Sequence, residues 1–131
     1  MFLVRTSLRN SLIHGTGVFA EEPIRKGQIV WQFDPRIDLA IPVDEFEKFP
    51  SVVQDYLRIY TYIEVLNGRR FMILCADHAK HVNHADEPNL LDTPNGDQEI
   101  AARDINKGEE LTCNYFVSDL EAAAKLGRQA M

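Results

Sequence analysis

The 131-residue sequence has few of the residues that define several common protein classes. It contains only two cysteines, Cys75 and Cys113, which are too few for a disulfide-held secreted fold or a cysteine-rich zinc cluster. Fourteen Lys and Arg against 20 Asp and Glu leave a formal charge of −6. Non-specific nucleic-acid binding needs the opposite balance, because Lys and Arg neutralise phosphates. These shortages predict an intracellular protein, cytoplasmic or, if eukaryotic, nuclear, with no direct nucleic-acid partner.

Long apolar segments are also missing. No segment approaches the roughly 20 apolar residues that span a bilayer, and Met1–Arg5 does not begin the apolar run of a signal peptide. We therefore expect no membrane association and no cleaved leader. The length suits one domain with one hydrophobic core. The acidic balance favours a basic protein partner, such as a Lys-rich tail.

Short β-rich segments alternate with turns over much of the chain. Their β-branched and aromatic residues, with glycines between them, predict strands at Phe2–Arg5, Gly17–Ala20, Gln28–Phe33, Phe71–Cys75, Gln98–Ala102 and Glu110–Asn114. From Asp44 to Val65, apolar residues recur at spacings of three and four, which predicts helix divided at Pro50 and ended by Asn67 and Gly68. Good helix formers predict a short terminal helix at about residues 117–127.

Two segments share one local pattern. Ile24–Gly27 and Ile105–Gly108 each carry an Ile-x-Lys-Gly turn between two predicted strands. Two copies are too few for a repeat architecture. The pattern therefore predicts two matching β-corners on either side of the helical segment.

Three motifs follow one another in the chain: Gly15–Ala20, Val82–Asn89 and Gly108–Tyr115. They resemble the G-x-G-[VL]-F-A, N-H-[SA]-x-x-P-N and G-E-E-L-T-x-x-Y signatures of the SET domain family of protein-lysine N-methyltransferases. The resemblance runs from about residue 2 to residue 116. It implies a mainly β (β-clip) fold of small curled sheets, with a helical insert at about residues 34–70 and a C-terminal pseudoknot. We expect a single SET domain over residues 1–131.

The resemblance also implies S-adenosyl-L-methionine as the cofactor and a lysine amine of a histone or other Lys-rich protein as the methyl acceptor. In the family, the backbone at positions matching His14, Gly15 and Thr16 contacts the amino-acid end of the cofactor. Gly17 belongs to the same turn, where glycines allow close approach. The Asn that matches Asn83 contacts the methionine moiety, and the backbone of the next residue, here His84, pairs with the adenine edge.

Tyr115 is the candidate catalytic residue. Methyl transfer requires the donor and a neutral amine to be held end to end. A phenol can orient the amine, but its ordinary pKa of about 10 makes it a poor base at neutral pH. We therefore assign Tyr115 to orientation and expect the target ammonium to lose its proton to water. Tyr62, with Tyr60 as the alternative, is expected to reach the cofactor or target amine, although a packing role in a helix is also open.

Two other interpretations remain open. His78, His81 and His84 recur every three residues and could bind zinc, although the SET motif already uses this segment and we expect no metal. The second is a SET fold without catalysis, which binds cofactor or a partner protein. The retained Gly15, Gly17, Asn83 and Tyr115 count against it, whereas the lack of a Cys-rich zinc segment after Cys113 to complete the family's lysine channel counts for it. Phe116 and the terminal helix, or a second subunit of a homodimer, would then cover the site.

Overall fold

The computed structural model describes residues 1–94 and 96–115, and these are mainly β. The strands are β1 (Thr6–Asn10), β2 (Thr16–Ala20), β3 (Ile29–Gln32), β4 (Leu39–Pro42), β5 (Thr61–Leu66), β6 (Arg69–Leu74), β7 (Asn83–His84), β8 (Leu90–Asp92), β9 (Gln98–Ala101) and β10 (Glu110–Cys113). The helix α1 covers Ser51–Tyr60, and short 3₁₀ helices cover Val43–Lys48 and His78–His81.

These strands form three small sheets, in the orders β1-β2-β10-β7, β3-β9-β8 and β4-β6-β5. Every pair is antiparallel except β10 with β7. The mainly β fold of small sheets is therefore confirmed. No helix among the described residues is long and apolar enough to cross a membrane.

The two Ile-x-Lys-Gly corners lie against each other. Ile24 and Ile105 exchange backbone hydrogen bonds of 2.9 and 2.8 Å, and both side chains are fully buried. Gly27 and Gly108 have φ of 83° and 92°, a left-handed conformation that favours glycine. Because β2 pairs with β10 and β3 with β9, the strands before and after each corner pair with those of the other corner.

The third motif lies between the other two. Strand β10 pairs with β2 on one side and with β7 on the other. Asn89 holds it from a third direction: its Nδ2 donates to the Glu110 carbonyl at 2.8 Å, and its Oδ1 accepts from the Thr112 N–H at 2.8 Å. This insertion of β10 is the topological feature that the predicted pseudoknot requires.

The insert contains more β-structure than the sequence predicted. Helix α1 ends at Tyr60, and the predicted helix over residues 61–65 is wrong, because Thr61–Leu66 forms β5. Strand β5 pairs in register with β6 across a two-residue turn in which Asn67 and Gly68 have φ of 51° and 74°. Asn-Gly is the strongest short hairpin signal, and it determines the structure here over the apolar spacing. Strand β4, which was not predicted, completes this sheet.

The first predicted strand is also displaced. Residues 2–5 are not a strand, although Phe2 forms an isolated bridge with Trp31, and β1 begins at Thr6. The helix expected at about residues 117–127 and Phe116 lie outside the described residues.

The buried apolar side chains form two clusters. The larger joins the two corners to the motif strands and includes Val18, Ile24, Leu90, Ile105 and Leu111. The smaller belongs to the insert and contains Ile41, Leu57, Ile63 and Met72. The insert therefore has its own apolar packing beside the motif-bearing strands.

Replacing Asn89 by Ala should destabilise the fold by about 2–4 kcal/mol, because the Thr112 N–H and the Glu110 carbonyl then lose buried partners. Urea unfolding measures the loss. Asn10→Ala, at an exposed end of β1, is the control and should change stability by less than about 0.5 kcal/mol. Equal losses in both variants would contradict the role assigned to Asn89.

Candidate functional site

A cleft of about 410 Å³ is bordered by the motif-bearing sheet, the insert and the β3-β9-β8 sheet. Most predicted site residues line it, namely His14, Gly15, Thr16, Tyr62, Asn83 and Tyr115. Gly17 and His84 are not among its lining residues: Gly17 lies beside Glu110, and His84 contacts Tyr115, which lines the cleft. The structure therefore brings residues from all three motifs and from the insert to one cavity.

Gly15 and Gly17 serve different purposes. Gly15 has φ of 45°, and a Cβ added there would meet no atom within 4 Å, so backbone conformation alone favours glycine. At Gly17, an added Cβ would overlap the carboxylate of Glu110. The second glycine thus makes room for a side chain of the third motif.

Asn83 joins the three motifs through one buried amide. Its Nδ2 donates to the His14 carbonyl at 2.9 Å and to Glu110 Oε2 at 2.9 Å, and it lies 3.4 Å from the Thr16 carbonyl. The Ser11 hydroxyl also donates to the Glu110 carboxylate, at 2.7 Å. The hydrogen bonds of the Asn83 amide to the described residues all involve Nδ2, and Oδ1 accepts none. The G-E-E-L pattern was the available signal for Glu110, which the sequence reasoning did not single out.

Tyr115 is held at both its backbone and its hydroxyl. The hydroxyl donates to the Val82 carbonyl at 2.7 Å, and the backbone N–H donates to His84 Nδ1 at 3.1 Å. Since Nδ1 accepts, a neutral His84 carries its proton on Nε2, which lies 2.9 Å from Asp86 Oδ1. The His84 side chain therefore positions Tyr115, as the two rings at 5.3 Å also indicate.

Tyr62 and Tyr60 both line the cleft, in different surroundings. The Tyr62 ring stands edge-on to Trp31, with centroids 6.5 Å apart. Burial raises the pKa of the Tyr62 phenol, so this hydroxyl stays protonated, and it makes no hydrogen bond to the described residues. Tyr60 packs against Tyr56 and His81. Both tyrosines therefore present to the cleft a hydroxyl that is not hydrogen-bonded to the described residues.

The sequence reasoning missed three carboxyl groups in the cleft wall: Glu64, Asp92 and Glu99. Burial raises the pKa of each, and the neighbouring Asp92 raises that of Glu99 further. Glu64 fell in a segment predicted as helix, while Asp92 lies before the turn containing Pro94 and Gly96. Neither the helical spacing around Glu64 nor the turn residues after Asp92 indicated which way these side chains face.

The histidines that suggested a zinc site have separate surroundings. His78 Nδ1 lies 3.0 Å from the Thr6 hydroxyl, His81 packs on Tyr60, and His84 contacts Asp86. Over residues 1–94 and 96–115, no three His, Cys, Asp or Glu side chains are grouped to hold a metal ion.

Gly17→Ala should lower stability by about 1–3 kcal/mol, because the new methyl group overlaps the Glu110 carboxylate. In a Glu110→Ala background the same change should cost at least about 1 kcal/mol less, as measured by a double-mutant cycle. Gly15→Ala is the matched control: its strain should not depend on Glu110. Additive effects of Gly17→Ala and Glu110→Ala would refute the contact.

Comparison with known proteins identifies the family. The SET domain model matches residues 15–116. Histone-lysine N-methyltransferase ATX2 of Arabidopsis thaliana is 30% identical over 119 residues, an alignment that covers 85% of this chain and 11% of that protein.

Solved structures share the fold. A chain of Chaetomium thermophilum Polycomb Repressive Complex 2, in an autoinhibited conformation bound to S-adenosylmethionine, matches with a TM-score of 0.68 at 22% identity, covering 95% of this chain and 17% of that one. A humanized mutant of this complex bound to the inhibitor GSK343 gives 0.69 at 24% identity, covering 95% and 16%. This chain spans less than a fifth of each of these relatives. The family match extends over most of the sequence, and the chain belongs to the SET domain family.

Proposed function

We propose that this chain transfers a methyl group from S-adenosyl-L-methionine to a lysine amine of a basic protein segment, in a histone or another Lys-rich protein. The observation that carries the proposal is the convergence of the glycine turn, Asn83 and Tyr115 on one cleft. The single SET domain over residues 1–131 and an intracellular location, nuclear if eukaryotic, are parts of the same proposal.

The residues at the glycine turn fit the amino-acid end of this cofactor. Its zwitterion carries an ammonium donor and a carboxylate acceptor. Asn83 Oδ1 is available to accept from the ammonium, and backbone groups of His14, Gly15 and Thr16 border the same cavity. When bound, the cofactor supplies an electrophilic methyl group on a sulfonium. The chain supplies orientation, and His84 contributes through its backbone on β7.

Tyr115 would orient the amine. Its hydroxyl already donates to the Val82 carbonyl, so the phenol oxygen can accept an N–H of the target amine, as the carbonyl also can. Two acceptors at one point fix the direction of the nitrogen lone pair. Holding that lone pair in line with the methyl group can contribute several kcal/mol to the barrier reduction, about 7–11 kcal/mol at the upper limit.

The walls of the cleft suit a lysine side chain. Trp31, Tyr60 and Tyr62 present aromatic surface, which accepts the aliphatic stem and attracts the cationic end. Cys113 also lines the cleft and is small. We propose that the space beside it admits a methylated amine, and hence di- or trimethylation.

Tyr115→Phe should lower the methylation rate by about 100-fold or more, since the amine loses an orienting oxygen, while the affinity for S-adenosyl-L-methionine changes by less than about threefold. Calorimetry with the cofactor and labelling of core histones with radioactive cofactor measure the two effects. Tyr56→Phe, a tyrosine on α1 that does not line the cleft, is the matched control and should behave as wild type.

The same two measurements distinguish the rival function. A wild-type chain that binds the cofactor but labels no protein would be a non-catalytic SET module. A chain that binds no cofactor would refute both the enzyme and the cofactor-binding module.

A further inference from the structure

One side of the cleft carries negative charge. Glu64 on β5, Asp92 on β8 and Glu99 on β9 line it, and Asp92 and Glu99 stand opposite each other in the β8–β9 pair. These strands belong to the insert and to the β3-β9-β8 sheet, whereas Asn83 lies on β7 of the sheet that contains the motifs. The carboxyl groups therefore line the cavity from strands other than β7, which carries Asn83.

Asp92 and Glu99 are cross-strand neighbours in the β8–β9 pair, so the two carboxyl groups titrate as a coupled pair. Burial raises the pKa of both groups, and the charge of Asp92 raises that of Glu99 further. Glu99 in turn raises the pKa of the Tyr62 phenol and of the Cys75 thiol, and the charge of the Met1 amine lowers the pKa of Glu99.

Lys80 lines the same cleft, but its ammonium donates to the Tyr56 hydroxyl, 3.2 Å away, and not to these carboxyl groups. Within residues 1–94 and 96–115, none of the three forms an ion pair with Lys or Arg. Half-buried carboxylates without a cationic partner are costly. A cationic occupant of the cleft would remove that cost.

Trp31 provides an independent indication of an occupant. It lines the same cleft, pairs with Glu99 across β3 and β9, and is only 3% exposed. Its indole Nε1 is buried without an acceptor among the described residues. Buried donors are nearly always satisfied. An occupant with both a cation and an acceptor atom would satisfy the carboxyl groups and the indole, and a lysine residue has both, in its ammonium and its peptide carbonyl.

We propose that the Asp92–Glu99 carboxyl pair, with Glu64 beside it, binds the ammonium group of the target lysine and accepts its proton before methyl transfer. This inference rests on the proposed function, and it assigns the proton to residues of the chain in place of water. The pair is a catalytic group in this scheme, because it contacts the reacting amine.

The transfer begins with both carboxyl groups of the pair ionised. One N–H bond of the ammonium breaks and leaves its electron pair on nitrogen, while the proton joins a carboxylate oxygen and is shared between the two carboxyl groups. The neutral amine then forms the new C–N bond as the C–S bond of the sulfonium breaks and its electron pair stays on sulfur. After the product leaves, the pair releases its proton to water.

Two close carboxyl groups suit this task. A lone carboxylate, with an ordinary pKa of about 4, is a weak base toward an ammonium of pKa about 10. Burial and the second charge bring the pKa of the pair nearer to the pKa of the ammonium. A base of intermediate pKa transfers protons efficiently near neutral pH. The proximity of the negative charges also lowers the energy of the incoming cation.

The test is the pH dependence of kcat for core histones in wild type, Asp92→Asn, Glu99→Gln and the double variant. Wild-type kcat should rise with pH at values well above the ordinary carboxyl range, because the pair must lose its proton to act. Each single variant removes the neighbouring charge and should shift this rise to lower pH with a smaller plateau. In the double variant the rise of kcat with pH should disappear, and kcat should fall by at least about tenfold, within the range expected for a general base.

Two controls separate chemistry from folding. Glu45→Gln removes an exposed carboxylate outside the cleft and should leave the profile unchanged. As pH rises through the range in which the pair titrates, the free energy of unfolding should fall while kcat rises. Carboxyl groups with a raised pKa hold protons that the unfolded chain has lost, so stability falls as pH rises through that range. Cofactor affinity, measured by calorimetry, should stay within about threefold of wild type in all variants, in keeping with intact glycine-turn contacts.

The outcomes distinguish this inference from the function on which it rests. A double variant that binds cofactor and keeps the wild-type kcat and pH profile would overturn the inference and leave water as the proton acceptor, with the proposed function intact. A wild-type chain that binds cofactor and methylates no lysine would overturn the proposed function and this inference together.

Discussion

The buried amide of Asn83 donates to the Glu110 carboxylate and to the His14 carbonyl, and so connects segments that lie far apart in the chain. Several other features follow from this contact. Gly17 must lack a side chain because Glu110 occupies the space above it, and β10 must lie beside β7 to bring Glu110 within reach. Asn89 then fixes β10 by pairing with its backbone. A single amide thereby sets where the glycine turn and Tyr115 stand relative to each other.

The proposed chemistry brings two cations together, a sulfonium and an ammonium, which repel each other. At about 4 Å this repulsion is about 4 kcal/mol at an effective dielectric constant of 20, and less where water enters. Removing the proton of the ammonium abolishes the repulsion and also frees the lone pair that must attack. The proposed carboxyl pair can do both, since it first attracts the cation and then takes its proton.

The three motifs sufficed to predict that Gly15, Asn83 and Tyr115 share one cleft, because their order and spacing match a family whose fold brings them together. The carboxyl groups could not be predicted in the same way. Whether Asp92 meets Glu99 depends on the register of β8 and β9, which the intervening turn determines. The hairpin after α1 was predictable from Asn67 and Gly68, but the apolar spacing through Val65 is compatible with both helix and strand.

The insert has an apolar cluster of its own, formed by Ile41, Leu57, Ile63 and Met72, and Ile73 of β6 packs into the larger core beside it. Alternation along β5 links that cluster to the site: Ile63 is buried in it, whereas its neighbours Tyr62 and Glu64 line the cleft. A one-residue slip of β5 would exchange these faces and remove both a phenol and a carboxylate from the cavity. The Asn67-Gly68 turn opposes such a slip, so this turn helps to determine which side chains of β5 line the cleft.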